Sequence, residues 1–217
     1  MPSFNFQFQS TAWHRFRQGC FVVVFGQLAM SMTTPLDTLF AARLGEGLVA
    51  TYGYSYRSVA LFMAIVTIAI TRTLLPVLAE EKSFSSASRI THAWARRLAV
   101  CSIPIVIVGW FAAPLGVRLL FERGAFDHDD TRAVAGVLQW GLLQLPFYFG
   151  GITLVQLLTS QQRYKELTSI SIAAALAKVL SSYGLSKFFG LPGIMVSTGI
   201  MYAVSWVLLR RACARSG

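Results

Sequence analysis

Apolar residues run along this chain in six long stretches separated by short polar connections. They cover about residues 19–42, 51–79, 98–121, 131–159, 167–186 and 191–209. Each stretch reaches the length of about 20 residues that a helix needs to cross the hydrocarbon core of a bilayer. In lipid a helix also satisfies its own backbone, so a spanning segment of this composition is read as helical. The pattern therefore predicts an all-α, polytopic membrane bundle with six transmembrane helices. Residues 1–18 form an N-terminal cytoplasmic tail, residues 19–209 the bundle, and residues 210–217 a basic cytoplasmic tail. The opening Phe4-Asn5-Phe6-Gln7-Phe8-Gln9 alternates with period two, but it is short and is read as a tail.

Lys and Arg fall mainly on alternate connections. One side carries Arg15, Arg17, Lys82, Arg89, Arg96, Arg97, Arg163, Lys165, Arg210, Arg211 and Arg215. The other carries Arg43, Arg118, Arg123, Arg132 and Lys187, together with Glu46, Glu122, Asp127, Asp129 and Asp130. Eleven bases against five predict that both termini lie in the cytoplasm, which also requires an even number of spans.

Composition agrees. Of 217 residues, 55% are hydrophobic and 13% charged, against about 25% charged in a soluble domain. Six spans of about 20 residues need about 120 residues, so the chain holds the spans, short loops and little else, and no separate soluble catalytic domain is expected. The net charge of +10 is assigned to loops beside the membrane, where it orients the chain and meets anionic phospholipids, rather than to nucleic acid. Cys20 and Cys101 lie in apolar stretches and Cys213 in the basic tail, with no metal or disulfide spacing. The first apolar run continues through Leu39 and Phe40 and is read as an uncleaved helix rather than a signal peptide. Pro35, Pro76, Pro104, Pro114 and Pro146 fall within or near the ends of spans, where each frees a backbone carbonyl.

Charges inside the spans are the candidate site. Arg57 stands about six residues into the second span, and Asp37 about five residues before the end of the first. The short connection between them makes these helices antiparallel neighbours, so the two side chains are expected at similar depth. They form either a self-neutralising buried pair or a cationic site facing an internal cavity with Asp37 as partner. Arg72 is nearer the cytoplasmic end, where snorkelling also accounts for it. Lys178 lies near the midplane of the fifth span. Ser181 and Ser182 share its face, which is read as looking into the bundle, either as glue between helices or as part of a pathway.

Asp127-His128-Asp129-Asp130 has the look of a metal-holding DxD loop, but Asp129 or Asp130 before Thr131 is also a good helix N-cap. The cap is preferred, and no metal or other cofactor is expected. No P-loop supplies ATP, and no Ser/His/Asp or Cys/His constellation appears, so the chain is not read as an enzyme.

Thr51-Tyr52-Gly53-Tyr54-Ser55-Tyr56-Arg57, continuing to Leu74-Leu75-Pro76-Val77-Leu78-Ala79, resembles a segment of the MurJ/MviN lipid II flippases, members of the MOP exporter superfamily. Leu36-Asp37-Thr38-Leu39-Phe40-Ala41 resembles the start of the same region. Leu120-Phe121-Glu122-Arg123-Gly124-Ala125-Phe126-Asp127, followed by Asp130-Thr131, resembles the family's LFxRGxFD…DT loop, and is the most specific piece. The likeness extends over the first six spans of the family's second half. It implies a bacterial inner-membrane flippase with two bundles around a central cavity, with Arg57 on a cavity arginine thought to engage the lipid pyrophosphate. The chain departs from the family at Tyr56, where Asp is usual, and in lacking proline over residues 58–63 and 160–168.

The resulting expectation is a half-size flippase component. It would move an undecaprenyl-pyrophosphate-linked oligosaccharide by alternating access together with a second bundle, either another copy or a separate chain. Arg57 would attract the pyrophosphate, Asp37 would hold Arg57, and Lys178 and Arg72 would extend the positive path. Arg123, Gly124, Phe126 and Asp127 would form the family-motif loop. Two alternatives stand beside it: a non-transporting structural or interaction relative, and a membrane-bound transferase of lipid-linked sugars using Asp127 to Asp130.

Overall fold

A computed structural model describes residue 21 and residues 24–80, 84–122 and 126–214 of the chain. The first tail, 1–18, lies outside them. Residues 24–31 are helical and lead through a turn at Met32 into α1 (Thr33–Leu44). There follow α2 (Leu48–Glu80), α3 (Phe84–Phe121), α4 (His128–Leu142), α5 (Leu145–Ser160) and α6 (Tyr164–Ala214). No strand forms among the described residues. The fold is an all-α bundle of the membrane type.

Three helices are long and apolar enough to cross a membrane, and the bent pair α4–α5 makes a fourth candidate. The second to sixth expected spans map onto these candidates with two differences, whereas the described part of the first, residues 24–31 and the 12-residue α1, is not among them. The fourth is not one straight helix: it breaks at Leu143–Gln144, just before Pro146, and its halves meet at 46°. The connection over residues 80–97 is also largely helical, because α3 begins at Phe84.

The fifth and sixth expected spans are the two arms of α6. At about 1.5 Å per residue its 51 residues would stretch about 76 Å, more than twice the hydrocarbon core. Gly190 breaks it, with φ 61° and ψ −136°, a conformation that L side chains rarely adopt. Beyond the break the arms run antiparallel. Lys178 bonds Thr198, Ser182 bonds Ser197, and the backbone of Leu185 lies against Gly193 so closely that no Cβ would fit there. The second arm continues through residues 210–214, so the basic tail begins inside this helix.

The core forms where α3 meets α5 and α4, and where α2 packs against the same two helices. On α3, Ala87, Thr91, Ala95, Ala99, Ser102, Val106, Ala113 and Val117 are buried and recur every three or four residues, except for a gap of seven between Val106 and Ala113. Small side chains in such a seam let helix backbones approach, which is how helices associate where lipid is as apolar as leucine. Phe149, Leu154, Leu157 and Leu158 of α5 pack into the same core. The opposite face of α3 shows Val100, Ile103, Ile107, Val108, Phe111, Leu115 and Leu119 to the outside, an all-apolar surface suited to acyl chains.

Interhelical hydrogen bonds join the layers. Ser55 donates to the Val134 carbonyl at 2.9 Å, Thr67 pairs with the Tyr148 hydroxyl at 2.8 Å, and Gln156 donates to Thr71 at 3.2 Å. One of these repairs a proline defect. Pro114 has no N–H for the carbonyl four residues back, that of Trp110, and Gln139 donates its amide there at 2.9 Å.

Candidate functional site

The intramembrane charges separate into two groups on different faces. Asp37 of α1 and Lys178 of the first α6 arm meet in the interior, each 2% exposed. Lys178 Nζ lies 2.9 Å from Asp37 Oδ2. The Tyr52 hydroxyl of α2 donates to the same carboxylate oxygen at 2.7 Å, and Lys178 also donates to Thr198 of the second arm. Ser182 and Ser197 continue this polar seam one turn further, with their hydroxyls 2.6 Å apart. Ser181, by contrast, spends its hydroxyl on the carbonyls of Ala177 and Lys178 within its own helix. Asp37 Oδ1 is buried with no hydrogen-bond partner.

The knot therefore ties three helices through one carboxylate. Its members make two charges tolerable in a low-dielectric interior, because each is paired and hydrogen-bonded.

The expected Asp37–Arg57 partnership does not form. Depth alone suggested it; azimuth decides against it. Tyr52 faces Asp37, and five helical residues turn the chain through about 500°, which leaves Arg57 about 140° away. Arg57 is exposed, on the side of α2 opposite the buried Tyr52, Val59, Met63, Ile70 and Leu74. Leu61, Ala64, Ile68 and Arg72 lie along the same exposed stripe. The described ion pairs are Arg118–Glu122, Arg163–Glu166 and Asp37–Lys178, and neither Arg57 nor Arg72 takes part in one. Tyr52, Thr198 and Ser197 were not singled out in the sequence. Their signal was available in the register of the hairpin, where 197 and 198 fall opposite 182 and 178.

Of the family-motif loop, Arg123 and Gly124 lie outside the described residues. Phe126 packs against Tyr54 at 5.3 Å and Phe121 at 6.1 Å between ring centroids. Asp127, rather than Asp129 or Asp130, is the N-cap of α4. Its Oδ1 accepts from the backbone N–H of Asp129 and Asp130, both at 2.9 Å, and its own N–H donates to Asp130 Oδ2 at 3.3 Å. That reciprocal pair is a capping box. The acidic residues are thus occupied in starting a helix, and no group of His, Cys, Asp and Glu suited to a metal forms among the described residues.

An apolar cavity of about 370 Å³ opens between the helical residues 24–31, α5 and both arms of α6, lined among others by Gly26, Tyr148, Gly151, Thr168, Tyr202 and Leu209. None of Asp37, Arg57, Arg72 or Lys178 reaches it.

Comparison with known proteins adds the following. A sequence profile described as "Lipid II flippase MurJ" matches residues 2–217. A "Probable lipid II flippase MurJ" of Helicobacter pylori (strain J99) is 28% identical over 200 residues, which cover 88% of this chain and 42% of that protein. The "Lipid II flippase MurJ" of Burkholderia cenocepacia is 25% identical over 198 residues, covering 87% and 36%. The chain thus spans about two fifths of the length of these curated relatives. Among solved structures, a lipid II flippase MurJ in an inward closed conformation superposes with a TM-score of 0.78 at 18% identity, over 86% of this chain and 40% of that one. The eukaryotic MATE transporter AtDTX14 follows with a TM-score of 0.71 at 17% identity, over 90% and 44%. At these identities the structural likeness speaks for the fold.

Proposed function

Because the chain belongs to the lipid II flippase MurJ family, we propose that it supplies one helical bundle of a flippase for lipid-linked oligosaccharides. The relatives' names speak of lipid II, and the substrate class inferred for this chain is an undecaprenyl-pyrophosphate-linked sugar. Work of this kind needs binding and alternating access between two bundles, with no covalent step. The bundle described here would work against a second one across the substrate path. The location inferred is the bacterial inner membrane, with both termini in the cytoplasm and anionic phospholipids around the basic helix ends.

The observation that carries this is the exposure of Arg57 on the face of α2 turned away from the core. A guanidinium about nine residues, or about 14 Å, into a spanning helix is expensive against acyl chains. The all-apolar outer face of α3 suits lipid; the Arg57–Arg72 face of α2 does not. An aqueous space shared with a second bundle would solvate Arg57 and leave its bidentate donors free for a pyrophosphate. Arg72 would extend the positive path toward the cytoplasm. Asp37 and Lys178 are buried away from that face, so their role is to hold α1, α2 and α6 in place behind it.

The test is complementation. Cells depleted of their own lipid II flippase would express this chain, alone and with a candidate partner bundle, and lipid-linked precursor reaching the outer leaflet would be measured. Rescue by the parent and its loss in Arg57→Ala, with equal membrane insertion, is the expected result. Rescue that persists in Arg57→Ala would overturn the role of Arg57. Failure of the parent with every partner bundle would favour the non-transporting alternative.

A further inference from the structure

A second cavity, of about 430 Å³, lies where the start of α3 meets the end of the second α6 arm. Its volume is within the range of about 300–1,000 Å³ usual for small-ligand sites. Arg89, His92 and Arg96 line it from one face of α3, at the i, i+3 and i+7 spacing that stacks side chains over successive turns. Arg210 closes it from α6, with its guanidinium 5.3 Å from the Trp206 ring centroid. Alanines on α3, among them Ala95 and Ala99, keep the floor low.

The charge of this cavity is unbalanced. Among the described residues no Asp or Glu lines it, and none of the described ion pairs uses Arg89, Arg96 or Arg210. Arg163, on the same side of the bundle, is by contrast neutralised by Glu166. Arg89, Arg96 and Arg210 are each exposed, and three guanidiniums around one hollow set up a positive potential, screened by solvent, that favours an anion among them. The planar fork of arginine matches phosphate oxygens two at a time, and His92 adds a ring nitrogen. Stacking on Trp206 fixes where the Arg210 fork points, so less side-chain freedom is lost on binding.

We propose that the Arg89–Arg96–Arg210 cavity is a binding site for a phosphate-bearing anion, distinct from the Arg57 face. The anion is the headgroup of an anionic phospholipid or free phosphate. The site deepens the anionic-lipid part of the function proposed above, and it stands whether or not the chain transports.

The test uses the full chain in detergent and native mass spectrometry, titrated with phosphatidylglycerol, phosphatidylcholine and inorganic phosphate in turn. Phosphatidylglycerol is expected to bind in preference to phosphatidylcholine. Arg96→Gln combined with Arg210→Gln should weaken that binding by about tenfold or more, since charge-assisted contacts are lost. Arg97→Gln combined with Arg211→Gln removes the same charge from exposed positions outside the cavity and should leave binding near the parent value. The single Arg89→Gln variant, at an exposed position, gives a partial loss and keeps the test open if the double variant misfolds. Inorganic phosphate that binds alone and displaces the lipid would assign the site to free phosphate; lipid binding indifferent to phosphate would assign it to the headgroup. Equal losses in the two double variants, or no preference for phosphatidylglycerol together with no phosphate binding, would overturn the site.

Discussion

Lys178 Nζ sits 2.9 Å from Asp37 Oδ2, and this contact joins α1 to the first arm of α6. Breaking it from one side leaves a buried charge with no counterion. Lys178→Met is therefore expected to lower stability by about 3–5 kcal/mol, and Asp37→Ala by a similar amount. Replacing both partners, Asp37→Asn with Lys178→Met, should recover much of the loss, because neither variant residue is ionised. Tyr52→Phe removes only one hydrogen bond to the carboxylate and should cost about 1–2 kcal/mol. Unfolding in a denaturing-detergent titration of the purified chain measures all four. A double variant as unstable as the singles would mean that the pair is not what holds these helices.

The hairpin in α6 depends on two glycines for different reasons. Gly190 adopts φ 61°, so Gly190→Ala should cost about 1–3 kcal/mol in backbone strain. Gly193 has an ordinary φ but no space: a Cβ there would run into the carbonyl of Leu185. Backbone cannot step aside as a flexible side chain can, so Gly193→Ala must part the arms and stretch the Lys178–Thr198 and Ser182–Ser197 contacts. It should destabilise by about 1–3 kcal/mol or more. Gly184 is helical with nothing near its Cβ direction, and Gly184→Ala should be neutral or stabilising by up to about 1 kcal/mol. The same unfolding titration ranks the three.

Much of this architecture was legible in the sequence, and what was not has a common cause. Hydropathy reports which residues can enter lipid, so the apolar segments and the family's motif segments were found. It carries no azimuth. The short loop suggests one depth for Asp37 and Arg57, yet α1 and α2 pair Asp37 with Tyr52 and Thr34 with Tyr56, so Arg57 lies further along the helix and on another face. Nor does hydropathy see a bend. The fourth apolar stretch runs past Leu142 and Leu143 to Leu145 with only Gln144 interrupting it, and Gln144 and Pro146 are the sole hints of the 46° turn between α4 and α5. The Gln139–Trp110 bond was illegible for the same reason: that Pro114 frees a carbonyl is written in the sequence, but which neighbouring helix answers it is a matter of packing.

The acidic loop before α4 discriminates a structural from a catalytic role. Asp127 accepts two backbone N–H groups through one oxygen, whereas no hydrogen bond among the described residues uses the Asp129 side chain. Asp127→Ala should therefore lower stability by about 0.5–2 kcal/mol through loss of the cap, and Asp127→Asn or Asp127→Ser by less. Asp129→Ala should change stability by no more than about 0.5 kcal/mol. Thermal unfolding followed by circular dichroism separates these. Added magnesium or manganese should shift neither the parent nor the variants; a metal-dependent rise in the midpoint that Asp129→Ala abolishes would instead revive the transferase alternative.

The outer face of α2 makes the most direct claim about surroundings. Arg57 and Ala64 lie on that exposed face, while Val108 and Phe111 are exposed on α3 at 67% and 80%. In a chain whose native Cys20, Cys101 and Cys213 are replaced by serine, a cysteine is placed at each of the four positions in turn. A thiol reacts through its thiolate, and each unit by which a dry setting raises its pKa removes about nine tenths of the thiolate at neutral pH. If α2 borders an aqueous space, Arg57→Cys and Ala64→Cys should react with a membrane-impermeant methanethiosulfonate at least about tenfold faster than Val108→Cys and Phe111→Cys. A pyrophosphate-bearing lipid added beforehand should slow Ala64→Cys, where Arg57 remains to hold it, more than Arg57→Cys. Four equally slow sites would put both faces against acyl chains, and Arg57 would then be a snorkelling residue rather than part of a path.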